Sequence, residues 1–146
     1  MYVNTYLFPI SYIITIHAII VNPSIETELF GIVEDILNLD DLMRFAAIID
    51  LDGTIIEGIM KEGKTSLESQ KEQEKFCKEA SERRQIRESY NDSLGKIRYV
   101  HLERENVTQI TIYPKTCTIL VTMEPELSID KKLGIITKIK KIASDL

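Results

Sequence analysis

From residue 24 onward the apolar positions fall into a clear sequence of periods. Ile25, Leu29, Ile32, Ile36 and Leu39 recur in steps of four and three, which gathers them on one face and predicts a helix. Ser24 follows Pro23 at the capping position, and Glu26 and Glu28 fall in the first turn, where the helix dipole favours acids. The period then drops to that of strands. Residues 44–51, RFAAIIDL, read as a mostly buried strand and 54–60, TIIEGIM, as its antiparallel partner. Only Asp52-Gly53 separates them, and such a two-residue link predicts a type I′ turn with positive φ at both positions.

Thr65-Ser66-Leu67-Glu68 has the lettering of a capping box and opens a long polar helix reaching to about Asp92, with Gly95 placed to stop it. Its apolar positions are sparse: Leu67, Phe76, Cys77, Ala80, Ile86, Tyr90 and Leu94. Strands at 97–104, 108–113 and 117–123 follow, and Ser128 caps a last helix carrying Leu133, Ile136, Ile139 and Ala143. The order α-β-β-α-β-β-β-α gives an α+β class, because tight hairpins make strand neighbours antiparallel.

Composition narrows the function classes. With 44% hydrophobic and 28% charged residues the chain has the means to fold around a core. A net charge of -5 opposes a nucleic-acid partner, which needs a basic surface. The charge is uneven. Residues 24–43 carry only acids, whereas Lys131, Lys132, Lys138, Lys140 and Lys141 line the last helix as a solvated basic face. Cys77, Cys117, His17 and His101 form neither a disulfide framework nor a metal-ligand set, so reduced thiols, a cytoplasmic location and no metal or cofactor are expected. The first 25 residues hold no charged side chain. Without a basic start or a cleavage site they are not a signal peptide. Residues 1–23 read instead as an early start, a loosely attached segment, an extra strand, or a membrane anchor through 1–22, ahead of one domain at 24–146.

Two stretches carry candidate chemistry. IIDLDGTII, 48–56, has the Asp-x-Asp-Gly-Thr lettering with which dehalogenase-type phosphatases open, Asp50 as nucleophile and Asp52 as acid/base. That chemistry needs a parallel sheet and a later acidic pair for magnesium, and no such pair follows a strand here. Asp52-Gly53 is therefore read as a turn, with the phosphatase as a remote alternative. Gly58 to Thr65 spells a phosphate-loop pattern, but Gly58 lies inside a hairpin strand. Only anion binding at the amides of Lys64–Leu67, ahead of the capped helix, would survive from it. Arg83, Arg84 and Arg87 could grip a carboxylate or phosphate, yet Glu79, Glu82 and Glu88 between them point to self-pairing on a wet face. His101, in mid-strand, reads as a packed residue rather than a catalyst.

The element order and the stretch RFAAIIDLDGTIIEG together resemble the roadblock/LC7 family, a profilin-like or longin-like sandwich. That resemblance implies a five-stranded antiparallel sheet with one long helix on one face and the first and last helices on the other, over about residues 24–145. Together with SLGKIRYVHLERENVTQITIY, the same stretch is similar to small uncharacterised proteins of ammonia-oxidising archaea, from a domain family of unknown function. What roadblock relatives imply is non-catalytic: homodimers or related heterodimers serving as platforms for small GTPases, paired through the middle strand and the long helix. Here that strand is 97–104, with Arg98, Tyr99, Val100, His101 and Leu102 at the seam, and the helix is 66–93, longer and more charged than usual for that family. The alternative function is a small-ligand sensor, which predicts a cavity between sheet and helix lined by Tyr99, His101 and Thr122.

Overall fold

The computed structural model describes residues 2–3 and 23–146. The expectations for the stretch between them (the anchor, the loose segment and an extra strand at 13–21) lie outside the described residues. Helix α1 (Pro23–Leu37) begins two residues earlier than a Ser24 cap predicts. Proline at a first helical position fits, since the N–H it lacks would be unbonded there anyway. The buried stripe is Leu29, Val33, Ile36 and Leu37, so Ile25 stays 40% exposed and Ile32 packs only at the margin. Lys61 ends the helix from outside, donating to Leu37 O at 3.3 Å and Asp40 O at 2.5 Å.

A two-residue strand β1 (Tyr2–Val3) precedes β2 (Met43–Asp50), β3 (Ile55–Lys61), β4 (Val100–Glu103), β5 (Thr108–Ile112) and β6 (Cys117–Met123). Their order across the sheet is β1-β3-β2-β6-β5-β4, and every neighbouring pair is antiparallel. The five strands from 43 to 123 are the sheet expected, and β1 adds a short pairing beside Met60 and Lys61. Alternation sorts the apolar side chains onto two faces. Ala46, Ile48, Ile59, Ile110, Ile119 and Val121 meet α1 and the last helix, α4 (Ile129–Ile142), with Val33, Ile36, Ile136 and Ile139 in the same cluster. Phe45, Ala47, Ile49, Ile55, Met60 and Leu120 face the other way, onto the long helix α2 (Gln70–Glu88) through Cys77. Each fully buried aliphatic side chain stabilises by about 1.5–3 kcal/mol, so the two-faced centre of the sheet is where the fold is held.

The β2–β3 connection departs from the expected type I′ turn. Gly53 N–H bonds to Asp50 O at 3.0 Å, Asp50 N–H bonds to Thr54 O at 2.8 Å, and Gly53 alone in this turn has positive φ, +89°. This is a type I turn closed by a left-handed glycine, a three-residue loop. Asp52 lies in it with ordinary φ. The second correction concerns α2, which starts at Gln70 under a capping box made by Ser69 and Glu72, not by Thr65 and Glu68. Ser66 instead bonds within its own loop, to Glu68 O and N–H. The helix also stops earlier, at Glu88; a separate turn α3 (Asn91–Leu94) follows, and Gly95, at φ +85°, ends that turn.

Candidate functional site

β4 is paired on one side only, by β5, and is four residues long rather than the eight expected. Among the described residues no strand covers its outer side. Register fixes which way its side chains point. Val100 and Leu102 stand beside Thr111 and Gln109 on the α2 face, while His101 and Glu103 stand beside Ile110 and Thr108 on the opposite face. Of the five seam residues expected, Val100, His101 and Leu102 are in the strand, and Arg98 and Tyr99 precede it. The strand is anchored through Glu103, whose carboxylate accepts from Lys132 Nζ at 2.6 Å, His101 Nε2 at 2.7 Å and Thr108 Oγ1 at 2.8 Å. Desolvation pushes the Glu103 carboxyl up, but these three hydrogen bonds and the Lys132 charge outweigh it and hold it at about 2. Lys132 corrects the expectation of a solvated basic face on the last helix; it is buried and turns inward to Glu103 and Pro125 O.

α2 covers the centre of the sheet and leaves its β4–β5 flank partly open. A shallow groove there is walled by Phe76 and Ala80 of α2 and floored by Val100, Leu102 and Thr111. Along the same helix Ile86 is 64% exposed and Tyr90 just beyond it 56% exposed; Leu102 on the strand is 37% exposed. Arg83 lies over the Phe76 ring at 5.1 Å, and Arg87 reaches Tyr113 Oη at 2.7 Å. The expected self-pairing is present, Arg83 with Glu79 and Arg84 with Glu88, but Arg84 is not on a wet face. It is buried, donates to Pro114 O at 2.6 Å, Cys117 O at 2.5 Å and Thr118 Oγ1 at 3.1 Å, stacks on Tyr113 at 4.9 Å, and also bonds Glu88. Its grip is on this chain's own β5–β6 turn, tethering α2 over the sheet.

The other candidates resolve as follows. Asp50 Oδ1 accepts from Asp52 N–H and Thr54 N–H, both at 2.9 Å, so it holds the loop, and the antiparallel neighbours of β2 exclude the phosphatase architecture. Gly58 is buried in β3, and Lys64 pairs with Glu124 at 3.1 Å. Because α2 begins at Gln70, the amides of Lys64–Leu67 are not a helix N-terminus, which removes the ground for the residual anion site there. Burial pushes the Cys77 thiol up to about 12 and that of Cys117 upward, as in inert core cysteines.

A cavity of about 460 Å³ opens beside the start of α2, between the 62–69 loop and the β4–β5 turn. Thr122 lines it, but Tyr99 and His101 do not; His101 sits on the other face of the sheet with Glu103. Arg44 borders it with its guanidinium engaged, donating to Glu124 and to Thr65 O, both at 2.6 Å. Glu124 is held below its ordinary value, since the hydrogen bonds from Arg44 and Lys64 outweigh its desolvation. The sequence does not announce this cavity: its walls come from β2, β3, the 62–69 loop, α2, the β4–β5 turn, β5 and β6, which only the fold brings together.

The model of the family of unknown function DUF6659 matches residues 22–145. The chain belongs to that family. Among curated proteins none matches it. Solved structures share its fold at low identity. The gliding protein MglB from Thermus thermophilus superposes with a TM-score of 0.64 at 8% identity, covering 83% of this chain and 92% of that one. MglB of Myxococcus xanthus gives 0.65 at 9% identity, covering 82% and 87%. A roadblock/LC7 domain from Streptomyces avermitilis gives 0.60 at 10% identity, covering 79% and 91%. This DUF6659 chain thus has the roadblock/LC7 fold, and such identities carry the likeness no further than fold.

Proposed function

We propose that the chain is a non-catalytic protein-interaction module that pairs with a second copy of itself, or with a related chain, through β4 and the exposed flank of α2. The observation that carries this reading is the edge of β4, unpaired among the described residues, uncharged from Val100 to Leu102 and bordered by the Phe76–Leu102 groove. Exposed strand edges invite pairing unless they are covered or charged, and a two-fold axis on β4 would match this edge to itself. The groove beside it would take the partner's α2, so that Ile86 and Tyr90 leave water. A small GTPase is the partner class that the roadblock resemblance favours for the assembled dimer, working in the cytoplasm. Residues 24–146 are the unit expected to fold and pair. Light scattering on that unit tests the reading: the expected mass is twice that of the single chain. A mass of one chain at every concentration would remove self-pairing and leave a related heteromeric partner.

A further inference from the structure

The cavity beside α2 shares Phe76 and Gln109 with the groove along the proposed pairing edge but has a chemistry of its own. Its volume, about 460 Å³, is within the range of small-molecule sites. Phe45 and Met60 from the sheet, Phe76 from α2 and Val107 from the β4–β5 turn give it apolar walls. Four charged groups line it: Arg44, already engaged with Glu124 and Thr65 O, Glu105 of the β4–β5 turn, and a pair of opposite charge, Glu68 from the 62–69 loop and Arg104 from the end of β4. Among the described residues neither has an ion-pair partner within 4.0 Å, although the Arg104 charge works against the desolvation that raises Glu68. Arg104 Nε donates to Oε1 of the buried Gln109 at 3.1 Å, which orients the guanidinium and leaves its two terminal nitrogens for an anion. The hydrogen bonds of Glu68 run through its backbone, so its carboxylate is open to a donor.

We propose that this cavity binds a small α-amino carboxylic acid with an apolar side chain. The carboxylate would sit on Arg104, the ammonium group on Glu68, and the side chain against Phe45, Met60 and Phe76. A ligand with one charge would fill the apolar box but leave either Glu68 or Arg104 without a partner, and charged hydrogen bonds are the strong ones in such a site.

The test uses the full chain and calorimetric titration with L-leucine, L-methionine and L-phenylalanine. Alongside them go 4-methylpentanoate and 3-methylbutylamine, which are leucine without its amino group and without its carboxylate. At least one amino acid should bind saturably, and each truncated analogue should bind about tenfold more weakly or worse than leucine. Arg104→Gln should weaken amino-acid binding by about tenfold while sparing the amine, and Glu68→Gln should do so while sparing the carboxylate. Circular dichroism and melting of both variants keep a folding defect from passing as a binding defect. Absence of saturable binding by all three amino acids would overturn the proposal. So would equal binding by the analogues, or wild-type binding in both folded variants.

Discussion

Gly53 shows two constraints meeting on one atom that is absent. Its φ of +89° disfavours any side chain, and a Cβ there would stand 2.6 Å from the Cα of Lys78 in α2. Ser81 of the same helix donates to Leu51 O, so the turn and the helix are locked together. Gly53→Ala should therefore cost about 3 kcal/mol, combining left-handed strain with overpacking, and urea unfolding measures it. A loss under about 1 kcal/mol would mean that the helix stands off the turn. Asp-Gly makes the turn legible in the sequence, but not its type, and not the helix that closes over it. Arg84 is not legible there, because a run of Arg and Glu looks the same whether its inner member faces water or carbonyls. Arg84→Met should destabilise by about 3 kcal/mol, since three acceptors on the β5–β6 turn lose their donor. The neighbouring Arg83→Met should cost less than about 1 kcal/mol, because Arg83 meets Glu79 only at 3.9 Å on an exposed surface. Equal losses in the two variants would put Arg84 back on the wet face.

Among elements, the predicted bounds slip where two signals compete. Thr65-x-x-Glu68 and Ser69-x-x-Glu72 are both capping boxes in lettering, and only the second is used, because Ser66 closes a local turn that keeps the chain out of helix. β4 is short because its pairing stops at Val100 opposite Thr111, although β5 runs on to Ile112, while the alternation in the sequence runs back to Ile97. What secures this edge strand to α4 is the Glu103 cluster, which has a definite pH dependence. The folded carboxyl at about 2 lies below its ordinary 4.5, so its contribution is full above 4.5 and fades as pH falls toward 2. Half-exposure of the side chain keeps that contribution small, under about 1 kcal/mol. Glu103→Gln should accordingly speed amide exchange in β4 at neutral pH. The gap to the wild type should close below 4.5; a gap that persisted to pH 2 would assign the effect to shape rather than charge.

At the scale of the whole molecule, the element order and the antiparallel class can be read from periodicity and the Asp-Gly link alone. The layer arrangement comes through the roadblock resemblance, and the superposition on MglB and on the Streptomyces roadblock domain agrees with it. The strand order β3-β2-β6-β5-β4 is invisible in the sequence, since it depends on β6 returning to the centre beside β2. The cavity and the uncovered β4–β5 flank are equally hidden, because both arise from where α2 stops covering the sheet. Pairing through that flank is the central claim, and Val100 is its most telling position: half-buried on the groove floor, at the start of the edge strand, with no polar partner to lose. Sedimentation of residues 24–146 beside their Val100→Lys variant tests it most directly. At micromolar concentration the parent should run as a dimer and the variant as a folded monomer, with an unchanged circular dichroism spectrum. A parent that sediments as a monomer throughout, or a variant that stays dimeric, would contradict assembly through β4.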